Sequence, residues 1–112
     1  MVANRQDMMK GNIDTLLLSL TSQQPMYGYQ IMRELDGRSQ GYFRFKEGTL
    51  YPALHRLEKA GLVQGKWQVL SGGRQRRYYH ITEKGRRILV EKTAQWRDFF
   101  IAMNLIFQPV KP

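Results

Sequence analysis

Cationic and hydrogen-bonding side chains recur at helical spacing in residues 46–63, KEGTLYPALHRLEKAGLV. Leu50, Leu54 and Leu57 are spaced by four and three residues and fall on one side of a helix. At 100° per residue, the opposite side carries a polar, net-basic set: Thr49, Pro52, His55, Arg56 and Lys59. Such a face suits an anionic partner. A solvated face on an ordinary helix is the alternative that this segment leaves open.

The ends of this helix are marked by two residues with special backbones. Pro52 has no N–H to donate, so we expect it in the first turn and predict a start near Gly48 or Thr49. Gly61 stands where a left-handed C-terminal cap belongs, with apolar Leu62 after it. A helix of about three turns is marginal alone, so its leucine side must be held by other elements.

Further basic residues follow in a predicted β-hairpin. After Gly61 the apolar period changes to two, and the turn signal Ser71-Gly72-Gly73 separates two short runs. Residues 64–87 hold seven Lys and Arg against one Glu, which is +6 of the total charge of +9. The hairpin therefore reads as a basic wing beside the helix, and its cations include Lys66, Arg74, Arg76 and Arg77.

Two helices must position these elements from the N-terminal side. The first is predicted over residues 8–20, and the second over residues 26–35, where Gly28 suggests close approach to a neighbouring helix. Residues 36–46 read as a loop with Phe43, Phe45 or both tucked under it. Helix, turn, helix, connector and basic helix form the helix-turn-helix pattern.

A long C-terminal helix is predicted after Thr82, which should cap it, with Glu83 in the first turn. Its large apolar side chains exceed what a small core needs, so an exposed interface is expected. We interpret it as a dimerisation arm that packs against the partner's first helix. The residues assigned to dimerisation are Leu16, Leu20, Leu89, Trp96, Phe99, Met103 and Ile106.

Composition narrows the function classes. The chain has 112 residues, a net charge of +9 and no cysteine, which favours a polyanion partner and a reducing cytoplasm. No apolar run could span a bilayer, and the N-terminus lacks a signal-peptide core. The chain also lacks a glycine-rich phosphate loop and a cluster of metal-ligand residues. We therefore expect no enzyme, no metal and no cofactor. A membrane surface would also suit a charge of +9, and charge alone does not choose between the two polyanions. Because the helix-turn-helix pattern favours nucleic acid, we expect no membrane partner.

The order of several motifs resembles the PadR family of bacterial transcriptional regulators, specifically its short members with one C-terminal helix. The resemblance covers about residues 10–96. It is carried by Pro25-Met26-Tyr27-Gly28-Tyr29, Gly48-Thr49-Leu50-Tyr51-Pro52-Ala53-Leu54, His55-Arg56-Leu57-Glu58, Gly61-Leu62-Val63, Trp67, Gly72-Gly73-Arg74, Tyr78-Tyr79 and Thr82-Glu83-Lys84-Gly85. Gln75 departs from the family pattern, where proline or a basic residue is commoner.

The resemblance implies a mostly α, α+β fold: a winged helix-turn-helix domain over residues 1–82 and a dimerisation helix with a short tail over 83–112. It implies a homodimeric repressor that binds operator DNA. Thr49, Tyr51, Pro52, His55 and Arg56 would enter the major groove, where Pro52 or Ala53 could touch a thymine methyl. The cations expected on phosphates are Lys59, Lys66, Arg74, Arg76 and Arg77.

Members of the family often respond to small aromatic molecules. Trp96, Phe99, Phe100 and Met103 could line a cleft between protomers for such an effector, or they could form only the dimer core. The alternative functions are a sequence-indifferent nucleic-acid binder, architectural or RNA-binding, and a helix-mediated protein-interaction module. Trp67, Tyr78 and Tyr79 keep the RNA alternative open.

Overall fold

The computed structural model describes residues 12–109 as a mostly helical protein with one small sheet. In chain order the elements are α1 (Ile13–Gln23), β1 (Met26–Tyr27), α2 (Gly28–Arg38), α3 (Glu47–Lys59), β2 (Val63–Val69), β3 (Gln75–Ile81) and α4 (Glu83–Ile106). The three strands are antiparallel in the order β1-β3-β2. This arrangement confirms the predicted winged helix-turn-helix fold with a long C-terminal helix.

The core lies between the first three helices and the base of the sheet. Each helix contributes its apolar stripe, and the first residue of β2 closes the core at the sheet. Phe43 and Phe45 stack at 6.3 Å and pack beneath the α2–α3 loop, as predicted. The largest fully buried side chains are Leu17, Leu18, Met26, Ile31, Leu50, Leu54, Leu57 and Val63.

Helix α1 ends three residues later than the predicted Leu20. Thr21 and Ser22 do not stop the helix, because their hydroxyls donate to carbonyls of its own preceding turn. Thr21 Oγ1 lies 2.9 Å from the Leu17 carbonyl oxygen, and Ser22 Oγ lies 2.6 Å from that of Ser19. The predicted start, in residues 8–11, lies outside the described part of the chain.

Strand β1 occupies the two residues that were predicted to begin the second helix. Met26 pairs with Tyr79, and Tyr27 pairs with Tyr78. Helix α2 therefore begins at Gly28 and continues to Arg38, three residues past the predicted end. A two-residue strand is too short to show an apolar alternation, so its pairing with β3 left no signal in the sequence.

Helix α4 extends away from the core. Thr82 caps it as predicted, because its Oγ1 accepts a hydrogen bond from Gly85 N at 3.0 Å. Helix α4 contacts α1, but Gly85 is the one residue of its 24 that is buried. The described chain is consequently elongated, with extents of 59 × 29 × 24 Å. Across residues 12–109, no helix combines the length and apolarity needed to cross a bilayer.

Candidate nucleic-acid interface

Helix α3 buries one side completely and exposes the other. Leu50, Leu54 and Leu57 are in the core, whereas the six predicted interface residues of this helix are all exposed: Thr49, Tyr51, Pro52, His55, Arg56 and Lys59. Ala53 is also fully buried. The expectation that Ala53 could reach a thymine methyl is therefore wrong, and Pro52 is the apolar residue that remains on the outer face.

The start of α3 differs from the prediction in a way that affects Pro52. The helix begins at Glu47, so Pro52 lies in its second turn. Pro52 cannot donate to the carbonyl of Gly48 four residues earlier. Gly48 is exposed, so water can hydrate that carbonyl, which makes the position tolerable. Glu47 places a carboxylate near the positive end of the helix dipole.

The C-terminal end of α3 confirms the predicted glycine cap. Gly61 has a φ of +77°, the left-handed region that favours glycine. Its N–H donates to Glu58 O at 3.0 Å, and Leu62 N–H donates to Leu57 O at 2.9 Å. This pair of bonds is the Schellman motif. It turns the chain directly from the helix into β2, so the helix and the wing are joined by a short, fixed connection.

Tyr51 lies between the outer face and the helix packing. Its ring rests against Gly28, at a position where a Cβ on that residue would overlap it. The predicted close approach of α2 to a neighbouring helix is thus confirmed, and α3 is that neighbour. Tyr51 remains 36% exposed. It can therefore contact a partner only along the flank of α3, beside α2.

Arg56 is exposed but not free. Its Nη2 lies 3.0 Å from Asp14 Oδ1 in the first turn of α1, and 59% of the arginine side chain is accessible. Exposed ion pairs of this kind contribute about 0–1 kcal/mol. A DNA base or phosphate could therefore displace Asp14 at small cost. This pair could not be predicted from the sequence, because its members are 42 residues apart.

The four predicted basic residues of the wing do not form one cluster. Lys66 pairs across the hairpin with Tyr78, and Trp67 pairs with Arg77. Because successive residues of a strand point to opposite faces, Lys66 and Arg77 lie on opposite faces of the wing. Arg74 is exposed at the tip, next to Gly72 and Gly73, whose φ angles are both positive. The cations predicted to contact phosphates are thus distributed over both faces of the wing and its tip.

Arg76 and Arg77 are both half-buried and engaged within the chain. The Arg76 guanidinium carbon lies 3.9 Å from the centre of the Tyr27 ring, a cation–π contact that holds the wing against β1. Tyr27 in turn packs edge-on against Tyr78 at 5.4 Å. Arg77 forms an ion pair with Glu58 of α3. Of the predicted wing cations, Lys66 and Arg74 are therefore the two most accessible.

Two groups at the base of the wing have shifted pKa values. Burial, together with the nearby charge of Lys66, lowers the pKa of His80 on β3. The lowered pKa favours the neutral form of His80 at pH 7, and the positive charges on this face of the hairpin belong to Lys66 and Arg76. Burial raises the pKa of the Tyr79 hydroxyl, against the opposing effect of Arg77. Tyr79 is only 3% exposed and belongs to the core, so its ring is not available to stack on an RNA base.

The aromatic residues of α4 form a cluster beside α1. The Trp96 ring centre lies 5.6 Å from that of Phe99 and 5.7 Å from that of Phe100, and Met103 is half-buried nearby on the same helix. A cleft of about 250 Å³ separates α1 from α4 here. It is lined by Asn12, Thr15, Lys92, Gln95, Trp96 and Phe99.

Two of the predicted dimerisation residues lie on α1. Leu20 is 4% exposed and belongs to the core of its own chain, so its assignment to an accessible dimer surface is wrong. The sequence showed its apolar stripe but not which side of α1 the sheet and α3 would cover. Leu16 is half-buried and packs against the core. Within residues 12–109, no three His, Asp or Glu side chains are grouped as a metal ion would require.

Comparisons with known proteins agree with this architecture. Residues 17–91 match the family described as the transcriptional regulator PadR-like family. An uncharacterized protein of Lysinibacillus sphaericus is 35% identical over 104 residues, which are 93% of this chain and 95% of that protein.

Solved structures show the same similarity. A transcriptional regulator from Clostridium thermocellum has a TM-score of 0.81 and 30% identity, over 91% of this chain and 99% of that one. A PadR-like transcriptional regulator from Bacillus cereus has a TM-score of 0.80 and 34% identity, over 92% and 98% of the two chains.

The family match spans more than half of the chain, and the relatives are aligned over nearly their whole length. These matches confirm the predicted resemblance and the expectation of a DNA-binding regulator rather than an enzyme. The chain belongs to the PadR-like family of transcriptional regulators.

Proposed function

We propose that the chain is a homodimeric repressor that binds a specific double-stranded operator close to the gene it regulates. The observation that carries the proposal is the division of α3 into a fully buried leucine side and an exposed, mostly polar side, with a basic hairpin joined to its end. A helix fixed in this way can enter a major groove as a rigid element, while the hairpin lies on the adjacent backbone.

The exposed residues of α3 divide into two roles. Thr49, Pro52, His55 and Arg56 would face base edges, with Arg56 suited to bidentate contact with guanine and Pro52 to a thymine methyl. Tyr51 would contact the flank of the groove. The cations assigned to phosphates, which fix register without reading sequence, are Lys59, Lys66, Arg74 and Arg76.

The proposed dimer rests on α4, whose apolar side chains are left uncovered by the chain itself. An exposed apolar surface of this extent in a DNA-binding regulator fits a second copy of the chain. Residues 83–112 would then serve as the dimerisation segment and residues 1–82 as the DNA-binding domain. The exposed large apolar residues of α4 and its end are Val90, Phe99, Phe100, Ile101, Leu105, Ile106 and Phe107.

An effector site is the second proposal, and the cleft beside Trp96 and Phe99 supports it. A planar aromatic molecule could stack among Trp96, Phe99, Phe100 and Met103 and relieve repression. Titration of aromatic compounds should then quench or shift the emission of Trp96, measured in a Trp67→Phe background. If no compound changes that emission, these residues form only the interior of the dimer.

Sequence specificity is tested by comparing two duplexes of equal length at one salt concentration. One carries an inverted repeat from the DNA flanking the protein's own gene, and the other carries the same bases in scrambled order. Fluorescence anisotropy should give a preference of at least about a thousandfold for the repeat. Equal affinity for both duplexes would favour a sequence-indifferent nucleic-acid binder instead.

The assignment of individual cations is tested by the salt dependence of binding. Arg74→Ala should reduce the magnitude of the slope of log K against log salt by about one, because one phosphate contact is lost. Arg97 lies at an exposed position of α4, outside the proposed DNA interface. Arg97→Ala should therefore leave the salt slope unchanged. Arg56→Ala should weaken the inverted repeat more than the scrambled duplex. Equal weakening of both would make Arg56 a phosphate contact.

A further inference from the structure

One carboxylate, that of Glu58, connects helix α3 to both strands of the wing, β2 and β3. Glu58 lies in the last turn of α3, and its Oε2 accepts a hydrogen bond from the backbone N–H of Gly65 on β2 at 3.2 Å. The same oxygen pairs with Nη2 of Arg77 on β3. Both side chains are about two-thirds covered, so this ion pair is less screened by water than an exposed one.

Arg77 is enclosed by its surroundings rather than extended towards solvent. Its guanidinium lies 5.7 Å from the centre of the Trp67 ring and 5.9 Å from that of Tyr79. Its Nε is buried and has no hydrogen-bond partner among the described residues. The guanidinium also fills the space that a Cβ at residue 65 would occupy, which explains why glycine stands there.

We propose that Glu58 and Arg77 are positioning residues that set the orientation of the wing relative to α3, and that Arg77 does not bind a DNA phosphate. This inference rests on the proposed DNA interface. A helix in the major groove and a hairpin on the backbone can bind together only if their separation matches the duplex. A fixed separation in the free protein lowers the cost of ordering the two elements on binding.

For the variant Glu58→Gln, the proposal and simple electrostatics predict opposite changes in DNA affinity. Glu58→Gln removes a negative charge close to the DNA-binding surface, which by charge alone should strengthen binding. Loss of the positioning contact should weaken it instead. Arg77→Gln should weaken binding to a similar extent, with an unchanged salt slope, because no phosphate contact is lost.

The experiment measures operator affinity over a range of salt concentrations for the full chain and its variants. We expect Glu58→Gln and Arg77→Gln each to weaken binding by about threefold or more, and the double variant to be no weaker than either single one, as residues acting through one contact are non-additive. Arg74→Gln is the matched control, since the same change at the wing tip should reduce the slope by about one.

Two further variants separate positioning from loss of folding. Gly65→Ala displaces the Arg77 guanidinium without changing any charge, so it should reproduce the loss of affinity at constant slope. Arg77→Lys keeps the charge and should recover part of the affinity. Urea unfolding identifies the variants that are folded at the temperature of the binding assay, and only these are compared.

The proposal is overturned if Glu58→Gln binds the operator as tightly as the wild type or more tightly. It is also overturned if Arg77→Gln reduces the slope by about one, as Arg74→Gln does. Failure of the proposed function is distinguishable, because the wild-type chain itself would then show no preference for any operator.

Discussion

Helices α3 and α4 both carry apolar stripes, but the two stripes are covered differently. On α3, Leu50 and Leu54 are completely buried within the chain, whereas on α4 Leu105 and Ile106 are 80% and 78% exposed. Helix α3 is therefore fixed by its own domain, and its exposed side is mostly polar, with Pro52 and part of Tyr51 among the exposed residues. Helix α4 exposes a surface that another molecule must cover. An apolar stripe indicates that a helix side will be buried, but it does not indicate which chain buries it.

The largest effect is expected from charges placed on the exposed side of α4. Phe99→Glu combined with Ile106→Glu should convert the dimer to a monomer, because two carboxylates cannot be buried unpaired in an apolar interface. Operator affinity should fall by about 10²–10⁴-fold as binding through two linked units is lost. Sedimentation measures the first effect and anisotropy the second. A monomeric wild type would refute the proposed arm.

Replacing one leucine on α3 and one on α4 by alanine compares how much each side chain contributes to the free energy of unfolding. Leu54→Ala should lower the free energy of unfolding by about 2–5 kcal/mol, because it leaves a cavity in the core. Leu105→Ala should lower it by less than about 0.5 kcal/mol in the monomeric Phe99→Glu, Ile106→Glu background. Urea denaturation gives both values. Equal losses would mean that α4 packs within its own chain.

Thr82 connects the C-terminal end of α3 to the start of α4. Its Oγ1 accepts from Gly85 N at the start of α4 and lies 2.6 Å from the carbonyl oxygen of Gly61, which caps α3. Thr82→Ala should therefore cost about 0.5–2 kcal/mol in the free energy of unfolding. Thr82→Ser keeps the hydroxyl and should retain most of the stability. A similar loss in both variants would show that the methyl group, not the cap, is what matters.

The features that could be predicted from sequence are those encoded by neighbouring residues. The glycine cap at Gly61, the threonine cap at Thr82 and the turn of the wing each depend on a few adjacent positions, and all were predicted correctly. The pairing of β1 with β3 was missed, because its partner strand lies about 50 residues away. The burial of Leu20 and Ala53 was missed as well, because which side of a helix faces the core depends on how all the elements pack.

In the candidate site, too, features encoded by neighbouring residues could be predicted, whereas contacts between distant side chains could not. The outer face of α3 follows from helical periodicity, so its exposed residues were placed correctly. The engagement of Arg56 with Asp14 and of Arg77 with Glu58 could not be seen, since each pair joins separate elements. Residue type identified the cations as possible phosphate contacts, and only the packing showed which of them are already paired.

The smallest expected effect concerns the ion pair between α1 and α3. Asp14→Asn should raise operator affinity by up to about fivefold, because it frees Arg56 and removes a negative charge near the phosphates. Asp36→Asn is the matched variant, because Asp36 forms a comparable surface ion pair with Arg44, which lies in the loop before α3. This variant should change operator affinity less than Asp14→Asn does. Anisotropy at low salt resolves such differences. A weaker affinity for Asp14→Asn would show that Asp14 holds Arg56 in its binding orientation.

The central claim is that α3 reads DNA as one of a pair held together by α4. A hydroxyl-radical footprint on the DNA flanking the protein's own gene tests it most directly. We expect two protected half-sites related by two-fold symmetry, with centres about 10 bp or a multiple apart, and the loss of both in the Phe99→Glu, Ile106→Glu variant. A single protected half-site, or uniform protection of unrelated duplexes, would contradict it.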